Sequence, residues 1–192
     1  MNLAIFGGSF NPPHIGHLIV LESVRDQLVL DKVILVPSAQ PPNKPNSMLA
    51  PPALRLEMTE LAVKGNPDFE VSGIELQRRG MSFTVDTINQ ISALHPRAKL
   101  FLIIGADNML EFDTWKAPDD ILAKAELIVM SRPGYSLHDM KSKTARAARF
   151  VNVPQIGISG TDIRRRVKLG RSIRYLVPRS VEEYILQKRL YK

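Results

Sequence analysis

The first residues with the types and spacing to do chemistry lie near the start of the chain, in Gly7-Gly-Ser-Phe-Asn-Pro-Pro-His14-Ile-Gly16-His17. Adjacent glycines let a backbone approach a ligand closely. A helix opening just after them offers unpaired N–H groups and the positive end of its dipole to an anion. His14 and His17 are three apart and so share a face on one helical turn. Their imidazoles, with an ordinary pKa of about 6.5, can donate hydrogen bonds to phosphate oxygens without the fixed charge of a lysine. The spacing matches neither the dinucleotide fingerprint G-x-G-x-x-G nor the phosphate loop that ends in Gly-Lys-Ser/Thr. Two of the chain's four histidines fall in this one turn beside the glycine pair, which favours a phosphate site over ordinary capping or surface histidines. Only His95 and His138 remain and cysteine is absent, so a zinc site is not expected.

A second such stretch is Ile158-Ser159-Gly160-Thr161-Asp162-Ile163-Arg164. Ser159 or Thr161 can cap the helix that follows. The hydroxyls, the helix N–H groups and a bidentate grip from Arg164 could also hold a phosphate.

These stretches need a scaffold, and the chain alternates short apolar runs with amphipathic segments. Strands are predicted at 3–6, 32–36, 69–71, 100–104, 127–130 and 150–153. Several are too continuously apolar to face water on either side. Helices are predicted from about residue 12, with Asn11 as cap and Pro12 in the first turn, and at 53–63, 84–94, 118–125, 137–148 and 161–169. The last of these stops at Gly170. Ser180 to Glu183 reads as a capping box that opens a final helix just after Pro178. The alternation predicts an α/β fold, a mostly parallel sheet with helices on both faces and a small helical segment at about 159–192. Six prolines in residues 37–52 exclude helix and central strand there. This loop follows the second strand and therefore lies at the carboxyl edge, where such sheets bind ligands.

The 192 residues suit a single domain, here read as 1–192. No apolar run approaches the roughly 18–20 residues of a membrane span, and the first residues lack a signal-peptide pattern; a cytoplasmic location is expected. The net charge of +7 is uneven. Residues 1–130 carry 11 basic and 15 acidic side chains, and residues 131–192 carry 15 and 4. A basic run at Arg164, Arg165, Arg166, Lys168, Arg171 and Arg174 fits a solvated face or a polyanion site. No helix-turn-helix, zinc-finger or aromatic RNA-binding signature accompanies it, so neither a nucleic-acid nor a membrane partner is expected.

Taken together, the H-x-G-H turn and the late Ser-x-Thr-x-x-Arg segment resemble the adenylyl-transferring nucleotidyltransferases of Rossmann-like fold. Three further stretches resemble the bacterial nicotinate-nucleotide adenylyltransferases in particular. They are residues 77–87 (Gln-Arg-Arg-Gly-Met-Ser-Phe-Thr-Val-Asp-Thr), Ile104-Gly-Ala-Asp107 with Trp115 eight residues on, and residues 173–178 (Ile-Arg-Tyr-Leu-Val-Pro). The resemblance covers essentially the whole chain in order. It departs where the family's Thr and Asp are Ser9 and Asn11, where its Pro-His-Lys is Pro42-Asn43-Lys44, and where its Ser-Ser-Thr is Ser159-Gly160-Thr161.

The resemblance implies transfer of the adenylyl group of ATP to nicotinate mononucleotide, giving deamido-NAD and pyrophosphate. Related acceptors would be nicotinamide mononucleotide and phosphopantetheine. It implies His14, His17 and Arg164 as catalytic groups on the α- and β-phosphates, and Mg²⁺ carried on the ATP phosphates and water rather than by protein ligands. ATP would lie against Gly7, Gly8, Ser9, Phe10, Gly105, Asp107, Ser159 and Thr161. The acceptor would lie against Lys44, Thr84, Trp115 and Arg132, with Trp115 stacked on the pyridine ring. Arg78 and Arg79 are weaker candidates.

Overall fold

The computed structural model describes residues 1–41, 49–78, 80–131, 144 and 147–192. Lys44, Arg79, Arg132 and most of the helix predicted at 137–148 lie outside the described residues.

Six strands form one sheet: β1 (Asn2–Gly8), β2 (Lys32–Pro37), β3 (Phe69–Val71), β4 (Lys99–Gly105), β5 (Ala125–Met130) and β6 (Arg149–Val151). Their spatial order is β3-β2-β1-β4-β5-β6 and every pairing is parallel. The order reverses direction at β1, between β2 and β4. That is the switch point of a doubly wound sheet, where a crevice opens at the carboxyl ends of the strands.

The two-residue period of a strand decides which core each side chain enters. On β1, Leu3 and Ile5 join one core and Ala4 the other; on β4, Leu100, Leu102 and Ile104 join the first, with Phe101 and Ile103 in the second. The first core is closed by Val85, Ile88 and Ile91 of α3 (Thr84–Leu94), Met109 of α4 (Ala106–Glu111) and Ile121 of α5 (Pro118–Lys124). The second is closed by Leu21 and Val24 of α1 (Ile15–Leu28). A sheet apolar on both faces is thus covered on both faces, as the sequence predicts. α4, too short to show a period, escapes sequence reading.

A third, smaller core lies to one side. Met58 and Ala62 of α2 (Pro52–Val63) pack with Ile163 of α6 (Gly160–Lys168) and with Val181, Tyr184 and Ile185 of α7 (Arg179–Gln187). The Tyr184 hydroxyl donates to Glu57 Oε2 at 2.5 Å, which fastens α7 to α2. This is the helical segment expected after residue 159. Among the described residues no helix is long and apolar enough to cross a membrane.

Most boundaries move by one or two residues from the sequence expectation, and three of the differences have a visible cause. α1 starts at Ile15 with His14 as its N-cap, rather than at Pro12 with Asn11 as cap. Asn11 and Pro12 each precede a proline, which disfavours helical backbone, so His14 is the first residue able to open the helix. α7 starts at Arg179 after Pro178, and Ser180 is inside it, its hydroxyl given to the Leu61 carbonyl at 3.0 Å. β6 ends at Val151 rather than Val153, whose N–H is taken by Ser131 Oγ at 3.2 Å.

Candidate active site

The β1–α1 turn sits at the switch point and is built around two stacked imidazoles. The His14 and His17 rings lie 3.6 Å apart at 18°. The His14 backbone N–H donates to His17 Nδ1 at 3.2 Å, so a neutral His17 carries its proton on Nε2. A donor nitrogen is thereby presented without a net positive charge. His14 is 8% exposed, and burial lowers its pKa to about 4, which keeps it neutral at pH 7. The intervening Gly16 has a steric reason. A Cβ there would lie 3.1 Å from His14 Nδ1 and 3.2 Å from Ile156 Cγ2, so any larger residue would have to push the His14 ring or Ile156 aside by a few tenths of an ångström.

Phe10 is buried at 2% exposure, its ring packed into the second core. Its ring stands edge-on to His17 at 5.4 Å and backs that imidazole from the core side. Phe10 has φ of 42°, a left-handed backbone that a bulky residue adopts only when its surroundings hold it there.

The surroundings that hold it come from three distant parts of the chain. Arg55 of α2 is fully buried, and its guanidinium donates to the carbonyls of Ser9 (2.7 Å), Ala50 (2.9 Å) and Ala39 (3.3 Å). Arg164 of α6 donates to the Asn11 carbonyl at 2.8 Å and to Thr161 Oγ1 at 3.2 Å. Asn11 Oδ1 receives the Ala50 N–H at 3.1 Å and the Tyr191 hydroxyl at 2.8 Å. Ser159 caps α6 by accepting the Asp162 N–H at 3.1 Å. Gly160 lets that helix end come close: a Cβ there would stand 3.0 Å from the Asn11 carbonyl oxygen and 3.4 Å from Arg164 Nη1.

A cavity of ≈ 340 Å³ opens beside this turn. Its wall includes Gly7, Gly8 and Ser9 from the turn, Thr84 at the start of α3, and Trp115, which leans on Phe112 with ring centroids 5.2 Å apart. The structure thus brings the glycine pair and the two predicted acceptor residues to one space. Ser159, Thr161 and Arg164 gather on α6 and its cap and are joined to the turn through the Asn11 carbonyl, three residues before His14. Gly105 caps α4, and Asp107 stands in its first turn at the carboxyl end of β4. Arg165 and Arg166 both bind Asp162, so of the three consecutive arginines only Arg164 meets the turn.

Sequence reasoning missed several residues of this region. Glu75 is buried on the cavity wall, and its Oε1 accepts the Thr87 hydroxyl at 2.6 Å. Arg78, a weaker candidate from the sequence, donates to Thr87 Oγ1 (2.8 Å) and Gln90 Oε1 (2.9 Å) and so braces α3. Ser82 Oγ accepts the N–H groups of Ala39 (3.0 Å) and Gln40 (3.1 Å), tying the exit of β2 to the entrance of α3. Arg55 and Tyr191 had no local signal at all, since an arginine on an amphipathic helix reads as solvated.

A parallel sheet of this order, with two helix N-termini and a stacked pair of imidazoles at its switch point, defines a nucleotide-handling enzyme of Rossmann-like fold. Comparison with known proteins makes this specific. The profile of the family described as cytidylyltransferase-like matches residues 5–166. A "Probable nicotinate-nucleotide adenylyltransferase" of Salinibacter ruber is 45% identical over all of this chain and 98% of its own length. One of the same name from Thermus thermophilus is 44% identical over the full length of both. The nicotinic acid mononucleotide adenylyltransferase of Plasmodium falciparum, solved in complex with NaAD, superposes with a TM-score of 0.81. It covers 99% of this chain and 97% of that one, at 19% identity, and shows the same fold. The chain belongs to the cytidylyltransferase-like family, within the branch of the nicotinate-nucleotide adenylyltransferases.

Proposed function

We propose that the chain transfers the adenylyl group of ATP to nicotinate mononucleotide, giving deamido-NAD and pyrophosphate, as one unit spanning residues 1–192. A phosphate oxygen of the mononucleotide attacks the α-phosphorus in line. The bond from that phosphorus to the β-phosphate bridging oxygen breaks, and pyrophosphate leaves. The attacking monoester is already anionic near neutrality, so no strong base is needed. Catalysis is then positioning and charge stabilisation, with orientation alone worth on the order of 7–11 kcal/mol.

The observation that carries this reading is the stacked pair of His14 and His17, one held neutral by burial and the other oriented by a backbone N–H. Such a pair donates to phosphate oxygens without adding a fixed positive charge. The His17 Nε2–H and the Arg164 guanidinium are assigned to the α- and β-phosphates as charge shifts to the leaving group. Gly7, Gly8, Ser9 and the backbone of Phe10, with Gly105, Asp107, Ser159 and Thr161, are assigned to ATP. Thr84 and Trp115 are assigned to the acceptor, with Lys44 and Arg132 completing that set from the sequence.

Among the described residues no three His, Asp or Glu side chains cluster as a metal cage. Mg²⁺ would be carried on the triphosphate with water filling its coordination, and would there offset the charge of the phosphates. No helix of the described residues could span a membrane, and a cytoplasmic place fits two soluble nucleotide substrates.

Pyrophosphate release with ATP and Mg²⁺, measured for nicotinate mononucleotide, nicotinamide mononucleotide and phosphopantetheine, tests the reading. Turnover is expected to be highest with the nicotinate. Equal or better turnover with either alternative overturns the assignment.

A further inference from the structure

Tyr191 lies 180 residues from the turn it touches, and no motif singles it out. Its backbone has φ of 64°, in the left-handed region that a bulky aromatic residue avoids. Strain of that kind persists only where the surrounding structure holds it. Here the hold is visible, because the phenol reaches back to Asn11 Oδ1 at 2.8 Å. Burial raises the Tyr191 pKa well above its ordinary value, so the hydroxyl stays protonated and donates.

Asn11 is the shared point. Its side-chain oxygen takes Tyr191 and the Ala50 N–H, while its main-chain oxygen takes Arg164. It follows Phe10, whose left-handed backbone makes the Ser9–Asn11 turn a strained one, and it lies three residues before His14. Whatever fixes Asn11 therefore fixes the acceptor of the Arg164 guanidinium and the entrance of the histidine helix together. We propose that Tyr191 is a positioning residue for adenylyl transfer, its hydroxyl holding Asn11 so that Arg164 and the His14–His17 pair keep their places. Tyr191 acts through Asn11 and touches neither nucleotide. The proposal rests on the assignment of Arg164 and the histidines to the transferred phosphates.

The test is Tyr191→Phe in the full chain, which removes one oxygen and keeps the ring. Turnover is expected to fall roughly tenfold, the scale of one buried hydrogen bond. The KM for ATP should stay within about twofold, because the hydroxyl makes no ligand contact. Quenching of Trp115, the only tryptophan, should report unchanged affinity for nicotinate mononucleotide. In an Arg164→Ala background the same change should cost clearly less than it does in the wild type, since the part that acts by placing Arg164 is already lost and only the part through His14–His17 remains. Undiminished turnover of folded Tyr191→Phe, or losses that multiply in the double variant, overturns the proposal.

Amide hydrogen exchange gives a readout independent of turnover. Tyr191→Phe should speed exchange at His14 and Ala50, whose N–H groups bond within the turn and to Asn11. Faster exchange confined to residues 184–192 would mean a local packing role and overturn the proposal. If the wild-type chain released no pyrophosphate with any acceptor, the functional assignment would fail while the exchange experiment still judged the coupling.

Discussion

Gly160→Ala tests the close approach at the point where α6 meets the β1–α1 turn. The new Cβ would sit 3.0 Å from the Asn11 carbonyl oxygen, 3.4 Å from Arg164 Nη1 and 3.5 Å from the Asn11 carbonyl carbon. Ordinary contact begins near 3.4 Å, so the helix end and the turn must part by about 0.4 Å. The neighbour is backbone and cannot swing aside as a side chain would. The Arg164 Nη1 bond to that oxygen, now 2.8 Å, would lengthen to about 3.2 Å, the outer limit of a good N–H···O bond. Such a charged hydrogen bond is worth about 1.5–3 kcal/mol, so losing about half of it costs on the order of 1 kcal/mol. Displacement of a catalytic group acts in the same direction, since a shift of about 1 Å can cost roughly 10²-fold. Together these give a fall in kcat of about 5- to 20-fold. Stability should fall by no more than about 1 kcal/mol, because the weakened bond is offset in part by alanine being better than glycine by up to about 1 kcal/mol in a helix interior and somewhat less in a first turn. The assay pairs steady-state pyrophosphate release with thermal unfolding of the same preparation. A variant with kcat within twofold of wild type would refute the claim that this close approach sets the position of Arg164.

Four other outcomes are expected. His17→Ala and Arg164→Ala should each lower kcat by roughly 10²-fold, the effect of removing a transition-state donor; a change confined to KM in steady-state kinetics would mean they only bind substrate. His14 should make the fold acid-sensitive. Its pKa near 4 in the folded chain, against about 6.5 unfolded, means that the unfolded chain takes up a proton first. Its contribution is therefore fully present above about pH 6.5 and is lost as pH falls towards 4, to a total of about 3 kcal/mol. His14→Asn should flatten Tm against pH in that window. Arg55→Met should destabilise the fold by about 2–4 kcal/mol in a urea titration. Three carbonyls lose their donor, a cost only partly offset by no longer burying a charge.

The sheet was legible in the sequence because its central strands, β1 and β4 among them, lie between two cores and so have almost no polar side. Runs such as Leu100–Ile104 could be nothing else once their length was considered. The glycine pair and His14–His17 were legible because their chemistry is local, held within one turn of helix. The direction of the Phe10 ring, into the second core, is not something residue type alone gives. Asn11 was misplaced as a helix cap because two prolines in succession delay the helix. Arg55 and Tyr191 were not legible at all. Their partners are main-chain carbonyls and one amide oxygen, which no residue type advertises, brought close by packing between segments far apart in the chain. The charge surplus of the last third was legible as a number but not in its use. Only Arg164 of its consecutive arginines reaches the turn, and Arg165 and Arg166 spend themselves on Asp162.

The braces on the Ser9–Asn11 turn carry a consequence for the order of events during synthesis. The turn emerges from the ribosome early, but two of its holds, Arg164 and Tyr191, lie 153 and 180 residues away from Asn11. At about 5–20 residues per second, the first strand and its glycines wait many seconds before either arrives. A nascent chain with most of its sheet already paired would still lack an assembled phosphate site. The growing chain therefore acquires its fold gradually and its chemistry late, within the few seconds that add α6, α7 and Tyr191.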